Sequence, residues 1–194
     1  RIGEIEFFHK HGCIIALLGI LARGIVLSMK RLMILRHAKS DWNAGASSDH
    51  ARPLNRRGTA AALTMGAVLA RTGEVPDLVY TSSATRARET VMLAADSGSW
   101  DTEIIEVDDL YGTSPGGALK IAAGTPDHVD KLMLVGHQPT WSYLVRAVTG
   151  AAVSMKTATV AGIDMHMDRW DQAPDAMGSL AYLLQPRMFA EMEL

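Results

Sequence analysis

Arg31-Leu32-Met33-Ile34-Leu35-Arg36 runs straight into His37-Ala38, and this stretch decides the fold. Four apolar residues between two arginines are too few for a helix and too continuous for a strand with one wet face. They read as a short strand buried on both sides. Lys131-Leu132-Met133-Leu134-Val135 repeats the pattern a hundred residues later. Further strands are expected at 77–80, 103–107, 157–165 and 179–184. Helical spacing of apolar residues predicts helices at 59–71, 83–96, 115–123 and 141–148, with loop at 39–57 and 168–178. Strands alternating with helices require crossover connections. The expected fold is α/β, three-layer α/β/α, with a mostly parallel central sheet.

The 194 residues are 48% hydrophobic and 21% charged, a globular composition. Net charge is −2, which gives no general grip on nucleic acid. Cys13 is the lone cysteine, so neither an internal disulfide nor a cysteine metal site is expected, and a cytoplasmic location follows. The apolar run in residues 1–28 is interrupted by Arg23 and is shorter than a membrane span needs. These residues read as sequence upstream of a natural start at Met29, as an added apolar helix, or as a secretion signal. Residues 29–194 read as one domain, with no membrane contact expected.

In an open parallel sheet, ligands bind beyond the carboxyl ends of the strands. Three reactive segments fall there. Arg36-His37 follows the first strand. Thr81-Ser82-Ser83-Ala84-Thr85-Arg86 follows the second and enters a helix. Gly136-His137-Gln138-Pro139 follows the fourth and precedes another. Alone, each has a plainer reading as a solvated pair, a helix cap or a turn. Together they put two Arg, two His and two helix starts at one sheet edge. Phosphoryl transfer spreads negative charge over the equatorial oxygens. Arg forks and helix N-termini suit that charge, and a neutral His can attack phosphorus.

Leu35-Arg36-His37-Ala38 resembles the Arg-His-Gly/Ala signature of the histidine phosphatase superfamily, which is phosphoglycerate mutase-like in fold. Ser82 to Thr90 resembles its Ser-Pro-x-x-Arg-Ala-x-x-Thr motif, with Ser83 in place of proline, and 135–139 its Gly-His-x-Pro motif. Arg52-Pro53-Leu54-Asn55 with Arg57-Gly58 is similar to a segment of the SixA-like phosphohistidine phosphatases. The resemblance implies that His37 is the nucleophile and that Arg36, Arg86 and His137 form the phosphate pocket. Ser82 adds a phosphate contact and Arg52 a charge at the pocket mouth. It implies no metal and no cofactor, and the remaining histidines, 9, 11, 50, 128 and 166, read as surface or loop residues.

Larger branches of that family carry a carboxylic acid that protonates the leaving alkoxide. No secure counterpart stands here, and Asp108 and Asp109 read as a solvated turn. Water-like hydroxyls have pKa values near 15.7 and leave poorly, whereas imidazole, near 6.5, leaves readily. A phosphorylated protein carrying phosphohistidine is therefore the expected substrate. A small phosphorylated metabolite and a non-catalytic phosphate-binding module are the alternatives. Oligomeric state is not legible.

Overall fold

Along β1 (Arg31–Arg36), Leu32 and Ile34 pack on one side of the sheet and Met33 and Leu35 on the other, as the strand pleat requires. β4 (Lys131–Gly136) divides in the same way, Leu132 and Leu134 opposite Met133 and Val135. Both strands are buried on both faces, which is why they read as unbroken apolar runs. The computed structural model describes residues 29–190. The N-terminal extension expected at 1–28 lies outside the described residues.

The remaining strands are β2 (Leu78–Thr81), β3 (Glu103–Glu106), β5 (Val160–Met165) and β6 (Gly178–Leu184). The sheet order is β3-β2-β4-β1-β5-β6. The first four run parallel, and β5 and β6 pair antiparallel at the far side. Helices α1 (Arg56–Arg71) and α2 (Thr85–Gly98) share a core with Met33 and Leu35. Helices α3 (Pro115–Ala123) and α4 (Thr140–Thr149) share the core on the opposite face, with Trp141 and Trp170 fully buried. The result is the three-layer α/β/α arrangement with a mostly parallel sheet.

Several boundaries differ from the sequence reading by one to three residues, and two of them have a local cause. α1 starts within the stretch read as loop, because Asn55 caps it by accepting the Gly58 N–H at 2.9 Å. β5 starts at Val160 rather than 157, because Ala158 adopts φ 57°, a left-handed conformation that no strand accommodates.

α1 and α2 approach each other closely at Gly66. A Cβ built there would stand 2.0 Å from the Ala94 carbonyl oxygen, so the two backbones would have to separate. Gly66→Ala is expected to destabilise the fold by about 2–3 kcal/mol, the cost of overpacking a tight core, despite alanine's better helix propensity. Urea unfolding checks it: a neutral or stabilising outcome would mean that the helices can slide apart freely.

Candidate active site

The pocket forms where β1, β2 and β4 end. The His37 N–H donates to the Gly136 carbonyl at 3.0 Å, tying the end of β1 to the end of β4. The Trp141 indole donates to the Leu35 carbonyl at 2.9 Å, and its ring occupies the space beside Gly136 that a Cβ would fill. Thr90 joins the first two motifs. Its Oγ accepts the Ala38 N–H at 2.9 Å and its hydroxyl donates to the Arg86 carbonyl at 2.6 Å.

His37 is buried, and its Nδ1 lies 2.7 Å from the Ala38 carbonyl oxygen. A carbonyl only accepts, so Nδ1 carries the proton and Nε2 keeps its lone pair. The His37 and His137 rings stand 5.1 Å apart. His137 Nε2 lies 2.9 Å from the Ser82 hydroxyl, and its Nδ1 lies 3.4 Å from the Arg86 guanidinium. Arg86 donates only, so Nδ1 accepts and Nε2–H donates to Ser82. Arg36 donates to the Met155 carbonyl at 2.8 Å, an oxygen that Gln138 also holds at 3.0 Å. The Nε–H groups of both Arg36 and Arg86 are buried with no hydrogen-bond partner. Unpaired buried cationic donors are costly, and a bound oxyanion satisfies them.

Of the residues expected at the site, His37, Arg36, Arg86, His137 and Ser82 converge. Arg52 does not present a free charge at the mouth. Its guanidinium donates to the Asp49 carboxylate at 2.8 Å and to the Ser40 hydroxyl, and lies 3.6 Å from the centre of the exposed Trp42 ring. Ser82 is fully buried and faces His137; it does not cap α2, whose cap position is Ala84.

Three residues at the site went unread in the sequence. Asp49 joins Arg52 to Arg86 (2.9 Å) and accepts from the Tyr111 hydroxyl (2.9 Å). Bonds from Arg52 and Tyr111 and the Arg86 charge hold its pKa down to about 2. Tyr111 packs edge-on against His137 at 5.4 Å. His50, read as a surface or loop residue, lies in a loop turn and contacts the Tyr111 ring at 4.9 Å and the Ser83 hydroxyl at 3.0 Å. Asp49 lacked any motif around it, since its partners lie 3 to 62 residues away. Asp108 and Asp109 are exposed on the 3₁₀ turn Asp108–Tyr111. The cavity beside His137 is lined by Tyr111 and not by either of them.

Burial pushes the His37 pKa down to about 3, reinforced by the positive charges of Arg86 and Arg36 and partly opposed by the Ala38 carbonyl. Burial and Arg86 likewise push His137 down to about 4. A charged His137, the natural expectation for a phosphate ligand, is therefore not its state in the free site. Two consequences follow. With the substrate's own titration divided out, kcat/KM should stay level from pH 5 to 8; an inflection near 6.5 would show that His37 titrates freely. Stability should depend on pH. Unfolding returns both imidazoles to their ordinary value of 6.5, so it takes up protons below 6.5, down to about 4 for His137 and about 3 for His37. Stability is then fullest above pH 6.5 and falls on acidification, read as a Tm that drops from pH 7 to 5.

The comparisons with known proteins agree with this geometry. Residues 32–118 match the model of the histidine phosphatase superfamily, branch 1. An uncharacterised Mycobacterium tuberculosis protein is 39% identical over 127 residues, 66% of this chain and 76% of that protein. An uncharacterised chloroplastic protein of Arabidopsis thaliana is 30% identical over 154 residues, 74% of this chain and 70% of the relative. A solved structure assigned as the phosphohistidine phosphatase SixA of Agrobacterium tumefaciens superposes with a TM-score of 0.68 at 28% identity, covering 81% of this chain and 98% of that one. Motifs, fold and relatives converge, and the chain belongs to the histidine phosphatase superfamily, in its SixA-like branch, as a phosphatase.

Proposed function

We propose that the protein removes phosphate from phosphohistidine in other proteins, through a phosphohistidine formed on its own His37. Residues 29–194 are taken as one domain serving that reaction. In the first step the His37 Nε2 lone pair attacks phosphorus and the bond to the leaving group breaks. The departing imidazole keeps the electron pair and takes a proton from solvent. The Ala38 carbonyl, bound to Nδ1–H, favours the positive charge that develops on the His37 ring. Arg36 and Arg86 meet the charge on the phosphoryl oxygens, with their buried Nε–H groups as available donors. Water then attacks phosphorus, the P–Nε2 bond breaks, and phosphate and neutral His37 result.

The observation that carries the substrate class is the state of Asp49. It is the carboxylate in contact with Arg86, and its ion pairs keep it deprotonated. It cannot hand a proton to an alkoxide at neutral pH. Asp108 and Asp109 stand on the exposed turn. A leaving group that departs without a carboxylic acid is favoured, and protonated imidazole is one.

The test is a comparison of kcat/KM on a phosphohistidine-bearing protein with that on a panel of phosphomonoester metabolites. The protein should lead by at least tenfold. A single metabolite turned over more efficiently than the protein overturns the substrate assignment.

A further inference from the structure

Next to the pocket, a groove of about 370 Å³ is lined by Lys39, Arg57, Lys156 and Arg187, with Ala61 and Pro186 among its apolar lining. All four cations are exposed, and among the described residues none of their side chains has an ion-pair or hydrogen-bond partner. Among the described residues, no acidic residue lines the groove. Four like charges around one depression repel each other, and nothing in the described residues offsets them. Arg57 stands in the first turn of α1, where the helix dipole disfavours a cation and where no acidic residue is present. Local stability therefore does not account for these residues. A chain of net charge −2 that gathers four unpaired cations in one place has concentrated its positive potential there.

Two of the lining residues adjoin the catalytic segments along the chain. Lys39 lies two residues beyond His37, and Lys156 follows Met155, whose carbonyl holds Arg36. The lining mixes apolar surface with long cationic stems, which suits a chain with its own backbone and side chains better than a compact inorganic ion.

We propose that this groove binds an acidic polypeptide segment of the substrate protein and delivers the phosphorylated side chain to His37. The inference rests on the protein-substrate reading above. Charge pairs at such a rim act on encounter and docking, not on the chemical step. They should therefore move KM and its salt dependence, and leave kcat alone.

The experiment uses the full chain and a triple variant, Arg57→Ala with Lys156→Ala and Arg187→Ala, none of which takes part in the reaction steps. A fluorescein-labelled Glu-rich peptide is titrated by anisotropy at low and high salt, beside a Lys-rich peptide and a single-stranded oligonucleotide. In parallel, steady-state rates are taken on a phosphohistidine protein and on phosphoramidate, a small P–N compound with nothing to dock. The Glu-rich peptide should bind the wild type, weaken with salt and weaken in the triple variant. The KM for the protein should rise by about tenfold in that variant, with phosphoramidate rates unchanged. A separate Arg187→Glu variant should shift the same KM in the same direction. Absent peptide binding, equal binding of the Lys-rich peptide, preference for the oligonucleotide or an unmoved KM each overturns the proposal. Phosphoramidate turnover without peptide binding sinks the groove and spares the phosphatase mechanism. Peptide binding with no turnover of either P–N substrate does the reverse.

Discussion

His37→Ala is expected to lower kcat by at least 10³-fold, on the order of what removal of a covalent nucleophile costs in enzymes that depend on one. His37 is the imidazole in the pocket whose Nδ1 is anchored by a carbonyl, leaving Nε2 as the lone pair. His137 cannot replace it: one of its nitrogens faces Ser82 and the other Arg86. Labelled substrate followed by a denaturing alkaline quench should leave phosphate on the wild-type chain. The same treatment should leave none on His37→Ala. Equal labelling of the variant would move the nucleophile elsewhere. His37 is buried, so the variant must also be shown to unfold at a midpoint near the wild type.

Arg86→Ala should cost about 10²- to 10⁴-fold in kcat/KM, the range for a donor aimed at phosphoryl charge. The loss should exceed that of Arg36→Ala in its reach, because Arg86 also holds Asp49 through two contacts, the backbone carbonyl at 2.6 Å and the carboxylate at 2.9 Å. Arg86→Lys should recover only a small part. An ammonium keeps the charge but cannot hold Asp49 and still offer an in-plane donor to phosphate. Full recovery by lysine would mean that charge alone suffices and that the unpaired Nε–H is incidental. Tungstate or vanadate binding separates the two arginine roles from the chemistry, because either anion reports pocket affinity without turnover.

Much of this architecture was legible because the decisive signals are short-range. Leu32 to Leu35 and Leu132 to Val135 announce buried strands by composition, and their burial on both faces is what the structure contains. Arg36, Arg86 and His137 were legible because a parallel sheet sends its strand ends to one edge, so a reactive residue after a strand has a known destination. Asp49, Tyr111 and His50 were not legible for the opposite reason. They meet only through a loop and a 3₁₀ turn, whose paths no periodicity encodes. Arg52 was expected to add a charge at the pocket mouth. Its partner was missed with Asp49, so it was taken as a free charge when it is a paired one. The neutral state of His137 was not legible for an energetic reason: burial beside Arg86 outweighs the attraction of Asp49. Neither neighbour can be weighed before the fold is known.

The strand order also bears on how the protein is made. A ribosome releases β1 and β2 early, yet in the finished sheet they do not touch; β4 lies between them, paired on both sides. His37 and Arg86 are therefore held in register by a strand that emerges last of the three. A nascent chain that has not yet delivered residues 131–136 lacks the strand that pairs with both β1 and β2, and with it His137. The complete site is therefore expected only once the central strand is in place, which makes the onset of activity in a nascent chain a late event of folding.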